Sequence, residues 1–354
     1  MTATHAARRA RLAAALAAAE VDALLVTKGV NVRYLTGLAS SNAAVLVRAD
    51  ATAALATDAR YIETARNLCG DVEEIVQERD VAGALAGSAA AAGLRLGVEA
   101  EHLSVAAYDR LPGAPERTAG LVEELRAVKD EEEIALIRAA CAITDQAFAD
   151  VLPAIAPGMT EREIARALEF RMMELGADKP AFDSIVAAGP NGSVPHHAPS
   201  DRPVARGDLI TMDFGALRDG YHADMTRTVA LGEPAAWQRE LYDLVREAQR
   251  AGRHAVRPGA SAHDVDAAAR SVIAAAGHGE HFGHGLGHGV GLEIHEVPFL
   301  GPDKPGRMED RVPITVEPGV YLPGRGGVRI EDTLVTRADR PELLTRTTKD
   351  LLVL

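Results

Sequence analysis

The chain has 354 residues, of which 47% are hydrophobic and 25% charged, and this length predicts about two globular domains. The formal net charge is −13 with no lysine or arginine block to offset it, which argues against nucleic acid or an anionic membrane as a partner. The two cysteines are too few for a disulfide scaffold and favour a reducing, cytoplasmic environment.

The N-terminal segment has the arginines of a signal peptide but lacks its apolar core. Residues 13–19 are mostly alanine, and acidic residues follow at once. Leu12 and Leu16 have the spacing of one helix face, which predicts an amphipathic first helix. No apolar run approaches 18 residues, so the sequence predicts no membrane span.

The first part of the chain alternates short apolar strands with alanine-rich helices, which predicts parallel strands covered by helices on both faces. A tight turn is expected at Ala49-Asp50. A helical stretch is predicted over residues 121–150, with a domain boundary near Ala127. The predicted domains are therefore 1–127 and 128–354. The predicted strands are 21–26, 43–47, 52–56 and 94–98.

The second part contains an internal repeat. Pro157-Gly158 and Pro258-Gly259 each precede a hydroxyl residue, Thr160 or Ser261, with an acid three residues later. This is the capping-box pattern of a helix start. Each copy continues into a predicted β-hairpin, so two helix–hairpin halves are expected to face each other around one cleft. Chance similarity is the alternative, and the matching acids in the two hairpins argue against it.

The first hairpin brings two carboxylates together. Asp219-Gly220 is a strong two-residue turn signal, and this turn would place Asp213 opposite Thr226. Asp213 and Asp224 then lie on one face of the sheet, because side chains alternate along a strand. Two such carboxylates repel each other unless a cation or a proton lies between them.

The second hairpin repeats the arrangement with Glu317 and Glu331 in otherwise apolar strands. Four carboxylates from the two halves are therefore expected to converge. A solvated sheet face is the usual fate of strand carboxylates and remains the alternative. The symmetric placement and the neighbouring glycines count against it.

Residues 281–295 combine histidines with alternating glycines, which forbid a stable helix. An extended segment would present His284 and His288 on one side, and His295 follows. A further histidine, His196, lies in a proline-flanked loop. A single histidine is more often structural, but several of them beside four convergent acids favour a metal site.

The ligand types indicate the metal. Carboxylates with one imidazole are hard donors that favour Mn²⁺, with Co²⁺ or Zn²⁺ as alternatives. Four negative charges suit two divalent ions bridged by a hydroxide. The sequence has neither a phosphate-binding loop nor a serine nucleophile elbow, and the histidines within its Gly-x-Gly run argue against a dinucleotide site.

Together these motifs resemble a known family, the pita-bread metallopeptidases, which include proline-specific aminopeptidases, prolidases, methionine aminopeptidases and creatinase. The motifs occur in order over residues 129–354. The resemblance implies an α+β chain, with a creatinase-like N-terminal α/β domain before a pseudo-symmetric pita-bread domain. The motifs are 212–215, 221–228, 284–296, 316–321 and 328–332.

The resemblance also implies a role for each site residue. Glu317 would both bind metal and handle the proton of the bridging water. His196, His284 and His295 would hold the substrate and stabilise the oxyanion, while Arg329 and Tyr321 would support the site and the bound substrate. The implied metal ligands are Asp213, Asp224, His288, Glu317 and Glu331.

The N-terminal motifs narrow the choice of activity. Residues 31–37 and 57–61 resemble the extra domain of the prolidase, aminopeptidase P and creatinase branch, and creatinases do not keep the complete metal set. The resemblance implies a homodimer, with Tyr34 or Arg60 near the partner's site.

Two proline-specific activities remain, Xaa-Pro aminopeptidase and Xaa-Pro dipeptidase. Some prolidases grip the dipeptide carboxylate with an arginine where this chain has Phe299, although Arg307 or Arg311 could substitute. The main hypothesis is therefore an aminopeptidase acting on short peptides with proline at position 2. The alternatives are a dipeptidase, a creatinase-like hydrolase and a non-catalytic scaffold.

Overall fold

The computed structural model describes residues 2–354, with side chains from residue 4 onward. The chain divides into two compact units, the first ending at Arg126 and the second running from Ala127 to Leu354. Within the described residues, no helix is both long and apolar enough to cross a membrane.

The first unit is built on a six-stranded sheet with the order β4-β3-β2-β1-β5-β6. Its strands are β1 Ala23–Val26, β2 Ala43–Arg48, β3 Ala53–Thr57, β4 Glu74–Gln77, β5 Leu96–Glu99 and β6 Glu116–Thr118. Its helices are α1 Thr2–Leu16, α2 Gly29–Thr36, α3 Ile62–Leu68, α4 Val81–Ala91, α5 Val105–Tyr108 and α6 Leu121–Ala127.

The sheet is mixed, so the prediction of parallel strands is wrong for β2. Strand β2 pairs antiparallel with both β1 and β3, whereas β5 pairs parallel with β1. The predicted tight turn after β2 explains why β2 and β3 pair antiparallel. Ala51 has a φ of 67°, and its amide N–H donates to the carbonyl of Arg48, so the chain reverses directly into β3. A connection this short can join only antiparallel strands.

The predicted amphipathic first helix is confirmed, because Leu12 and Leu16 of α1 are fully buried. Tyr34 is buried as well, and its hydroxyl donates to the carbonyl of Leu125 within the same unit at 3.1 Å. These contacts hold Tyr34 inside its own unit, and its expected position near a partner subunit stays a prediction. Arg60 is exposed beside Asp58, and its predicted role stays a prediction.

The second unit has four long helices and four small sheets. The helices are α7 Glu131–Val151, α8 Glu161–Glu174, α9 Ala236–Ala255 and α10 Ala262–Ala275. The strands are β7 Lys179–Pro180, β8 Ile185–Ala188, β9 Leu209–Phe214, β10 Ala216–Arg218, β11 Tyr221–His222, β12 Met225–Ala230, β13 Gly287–Gly289, β14 Glu296–Leu300, β15 Pro313–Val316, β16 Gly319–Leu322, β17 Gly326–Arg329, β18 Asp332–Val335 and β19 Glu342–Leu343. The sheets are ordered β11-β10-β7, β12-β9-β8, β14-β13-β15-β18-β19 and β16-β17.

The predicted helical stretch over 121–150 is two helices. The second helix, α7, begins after Asp130, whose carboxylate caps its N-terminus. This carboxylate accepts from the Glu133 amide at 2.8 Å, and the Glu133 carboxylate accepts from the Asp130 amide in return. This reciprocal capping satisfies two amide groups that the helix itself leaves unpaired.

The two halves of the second unit repeat one plan, which confirms the internal repeat. Thr160 caps α8 by accepting from the Glu163 amide, and Ser261 caps α10 by accepting from the Asp264 amide. Each half also has its own apolar core. One core joins α7 and α8 to β9 and β12, and the other joins α9 and α10 to β15 and β18.

Candidate metal centre

The first hairpin has the register that its turn signal predicts. Asp219 and Gly220 have φ values of 50° and 82°, so both adopt the left-handed conformation of a tight hairpin turn. Arg218 pairs with Tyr221, and Asp213 pairs with Thr226.

The second hairpin consists of two strand pairs that belong to different sheets, β15 with β18 and β16 with β17. Both pairs have the same register. Val316 pairs with Asp332, and Gly319 pairs with Arg329, at opposite ends of a short gap in the ladder. The same register carried through the gap sets Glu317 opposite Glu331. Glu331 is 1% exposed and accepts a hydrogen bond from the Thr226 hydroxyl at 2.7 Å. The two hairpins therefore meet at their acids.

His288 lies on β13 and completes the cluster. Its Nδ1 is 3.0 Å from the Gly289 carbonyl oxygen, so Nδ1 carries a proton and donates to that carbonyl. Nε2 instead faces Glu317 Oε1 at 3.4 Å and Asp224 Oδ2 at 3.6 Å. Candidate ligand atoms of Asp224, His288 and Glu331 all lie within 4.8 Å of one another.

The buried acids lack enough positive charge and hydrogen bonding of their own. In the described chain, Asp213 Oδ1 and Glu331 Oε1 are buried without a hydrogen-bond partner. Burial, reinforced by the neighbouring carboxylates, raises the pKa of Asp224 and of Glu331 well above the ordinary range. A divalent cation would satisfy both oxygens and remove the repulsion, so these residues fit a metal.

Glu317 behaves differently because it faces His288. Burial alone would raise the pKa of Glu317, but the hydrogen bond and charge of His288 lower it to about 2. Burial alone would lower the pKa of His288, and the same contact with Glu317 raises it instead. A protonated His288 and an ionised Glu317 therefore stabilise each other when no metal is bound.

Arg329 holds the ligand set from one side. The side chain is buried, and its Nη2 donates to Asp213 Oδ2 at 2.7 Å while Nε donates to Thr226 at 3.1 Å. Its Nη1 donates to the Tyr321 hydroxyl at 3.0 Å. These contacts make Arg329 a support for Asp213. Its predicted contact with substrate stays a prediction.

His284 is engaged in a chain of hydrogen bonds whose directions are determined. Its Nδ1 lies 2.8 Å from the Gly285 carbonyl oxygen and therefore donates to it. Burial lowers the pKa of His284, so the ring is neutral and Nε2 accepts from the Tyr321 hydroxyl at 2.9 Å. In this arrangement Nε2 carries no proton, so His284 can donate to an oxyanion only after the ring gains a proton or changes tautomer. Its implied role stays a prediction.

A cavity of about 230 Å³ opens above the cluster within the second unit. His295 lines this cavity and is exposed, and its ring makes an edge-to-face contact with that of His288, with centroids 4.4 Å apart. Burial lowers the pKa of His295, and the charge of His288 adds to this effect. His196 is also exposed and lines the same cavity. The predicted histidines and acids are thus assembled at one place.

Sequence reasoning missed the ion pair that holds the His295 segment. Lys129 Nζ lies 2.7 Å from Glu296 Oε2, with the two side chains 1% and 4% exposed. A Cβ atom on Gly291 would lie 2.8 Å from both Lys129 Cε and Glu296 Oε2, so a larger residue there would displace the pair. Isolated buried charges need a partner, but nothing in the sequence identifies which distant residue provides it.

Replacing Lys129 by methionine is expected to destabilise the second unit by about 3–5 kcal/mol, because Glu296 would keep a buried charge without its cation. Denaturant unfolding measures the loss. Lys129→Met combined with Glu296→Gln should recover most of it. Arg66→Met removes one partner of an exposed pair with Glu63 and should leave the unfolding midpoint unchanged. A Lys129→Met midpoint equal to that of the parent would contradict the role of the pair.

The two-domain fold and the buried acid–histidine cluster define a metal-dependent peptidase of the pita-bread class. Residues 135–338 match the model of metallopeptidase family M24, and residues 8–128 match the creatinase/prolidase N-terminal domain. The chain belongs to metallopeptidase family M24.

Relatives are similar along nearly the whole chain. An Xaa-Pro dipeptidase of Pyrococcus horikoshii is 35% identical over 338 residues, which cover 94% of this chain and 95% of the relative. The structure of an Xaa-Pro dipeptidase from Bacillus anthracis matches with a TM-score of 0.95 at 38% identity, covering 99% of this chain and 100% of the other. An X-Pro aminopeptidase structure from Thermotoga maritima matches with a TM-score of 0.86 at 35% identity, covering 95% and 98%. Relatives named as dipeptidases predominate and favour that alternative over the aminopeptidase hypothesis.

Proposed function

We propose that this chain is an Xaa-Pro dipeptidase, which hydrolyses the bond between an N-terminal residue and a following proline. The observation that carries the peptidase chemistry is the buried cluster of four carboxylates and His288, in which two oxygens lack a partner. The similarity to Xaa-Pro dipeptidases supports the substrate class.

We assign the metal ligands to the five residues predicted from the sequence. They would hold two divalent ions, for which the hard donor set favours Mn²⁺ over Co²⁺ or Zn²⁺. When bound, such ions polarise a carbonyl group and make water a nucleophile at neutral pH. The ligands are Asp213, Asp224, His288, Glu317 and Glu331.

Glu317 is the proposed general base. The side chain is ionised at neutral pH, and in the metal-loaded enzyme it would take a proton from the attacking water. Water adds to the scissile carbonyl carbon, and Glu317 then passes the proton to the proline nitrogen as the C–N bond breaks. The products are a free amino acid and proline.

His295 and His196 are the proposed substrate-positioning residues. Both are exposed in the cavity, so each can donate to the oxygen of the scissile carbonyl. His284 would act with Tyr321, because the bond between them is already formed. His284 would have to gain a proton at Nε2 before it could donate to substrate.

The cavity suits a short substrate with a proline ring. Its volume of about 230 Å³ is below the ~300–1,000 Å³ of pockets for drug-sized ligands. Pro195, Phe299 and Leu300 line it and supply apolar surface for the ring. The scissile amide before proline has no N–H, so the site needs no acceptor for one.

A peptide series tests the proposal with Mn²⁺ supplied. We expect kcat/KM for Ala-Pro to exceed that for Ala-Pro-Ala by at least about 10-fold, equivalent to ~1.4 kcal/mol. We expect little cleavage of Ala-Ala. A preference for Ala-Pro-Ala would establish the aminopeptidase instead, and equal rates on Ala-Pro and Ala-Ala would contradict proline specificity. Parallel assays with Co²⁺ and Zn²⁺ test the metal, and creatine tests the creatinase-like alternative.

We also propose that the chain acts as a cytoplasmic homodimer. The family resemblance supports the dimer, and the two free, buried cysteines are compatible with a reducing compartment. Sedimentation of the full chain tests the assembly. A fully active monomer would contradict it.

A further inference from the structure

The cavity above the metal centre has an uncommitted cation at its rim. Among the described residues, the cavity is lined by one lysine, Lys304, and one arginine, Arg329. Arg329 is buried and already donates to Asp213. Lys304 is exposed, and its ammonium has no carboxylate partner within the described part of the chain.

Local structure directs Lys304 along the apolar wall. Its amide N–H donates to the Gly301 carbonyl at 3.2 Å, which closes a turn between them. Its Cγ would lie 3.1 Å from a Cβ atom on Gly301, so the glycine leaves room for the stem. The ammonium then sits 5.7 Å from the centroid of the Phe299 ring, at the side of the cavity.

The two arginines that the sequence suggested for binding the dipeptide carboxylate lie outside the cavity lining. Neither Arg307 nor Arg311 lines it in the described structure. Arg307 Nη1 donates to the carbonyl of Gly259 at 2.8 Å, and the Arg311 side chain lies beside Asp310. The cavity wall therefore has an aromatic ring at Phe299 and an uncommitted positive charge five residues later, at Lys304.

We propose that Lys304 binds the C-terminal carboxylate of the dipeptide and so determines the preference for dipeptides. This inference rests on the proposed function. A proline ring packed against Phe299 and Leu300 carries its carboxylate on the adjacent carbon, within the region that the flexible ammonium can reach. A peptide extended past the proline has an amide at that position, which gains no charge-assisted contact with a lysine.

A cation at the far end of the substrate also selects its orientation. The carboxylate of the dipeptide is attracted to Lys304, so the amino terminus is placed elsewhere. Because Lys304 is exposed, added salt should weaken its contribution.

Lys304→Met tests the inference with Ala-Pro and Ala-Pro-amide as paired substrates. We expect kcat/KM for Ala-Pro to fall about 10- to 100-fold, mainly through KM, because a charged hydrogen bond is lost. Cleavage of the amide should change by less than about 3-fold, since it lacks the carboxylate. The wild-type KM for Ala-Pro should rise with salt, and that of Lys304→Met should not.

Two further variants make the outcome specific. Lys304→Arg keeps the charge and should retain most of the activity on Ala-Pro. Arg307→Met removes the same charge from the same loop but outside the cavity, and should leave the ratio of Ala-Pro to amide cleavage unchanged. An unchanged ratio in Lys304→Met, while the wild type cleaves Ala-Pro, would overturn the inference and leave the proposed function intact. A wild type that cleaves neither substrate would instead overturn the proposed function.

Discussion

Glu317→Gln is expected to lower kcat for Ala-Pro by about 100-fold or more, because the variant loses its general base. The change keeps the size of the side chain but replaces an oxygen by an NH₂ group that can neither accept a proton nor bind a cation. Glu317 Oε1 lies 3.4 Å from His288 Nε2, so the substitution also changes the charge seen by that histidine. Metal content should therefore fall together with turnover.

Elemental analysis and steady-state kinetics on the same preparations measure both effects. Glu309→Gln is the matched control, because Glu309 is exposed and does not line the cavity. It should leave turnover and metal content unchanged. Near-normal turnover and full metal content in Glu317→Gln would show that the base is another residue.

Removal of metal is expected to abolish activity and lower the thermal midpoint of the second unit. The buried acids have too little compensating charge without cations, as the raised pKa values of Asp224 and Glu331 indicate. Metal present at 100 times its Kd would stabilise the folded state by about 2.7 kcal/mol for each independent site. Readdition of Mn²⁺ should restore both properties.

The effect of metal should grow with pH. In the metal-free protein, Asp224 and Glu331 have folded pKa values above those of the unfolded chain. The stability that their protonated forms contribute is present in acid and is lost as the pH rises through the folded pKa values. Metal competes with these protons, so its binding strengthens over the same range.

Calorimetric scans of chelated and Mn²⁺-loaded protein at several pH values test this expectation. The gap between the two midpoints should widen from acid to neutral pH. A sample that keeps full activity after exhaustive chelation, with an unchanged midpoint, would contradict the assignment of the cluster as a metal centre.

The features that the sequence alone determined are mostly local. The capping residues Thr160 and Ser261 located two helix starts, because a cap acts within three residues of its own position. Asp219-Gly220 determined the register of the first hairpin, because a two-residue turn leaves one pairing. The acids predicted to converge therefore followed from turn geometry and strand alternation, and the family motifs agreed.

Other features depended on contacts between residues far apart in the chain, which only the tertiary structure decided. The ion pair of Lys129 with Glu296, the commitment of His284 to Tyr321, and the position of Lys304 in the cavity depend on how distant segments pack. The choice between Lys304 and the nearby arginines illustrates the physical reason. All are flexible cations in one loop, and sequence spacing does not say which face the folded loop turns towards the cavity. Local rules thus selected the reactive groups, while packing determined how these groups are held and which of them can meet the substrate.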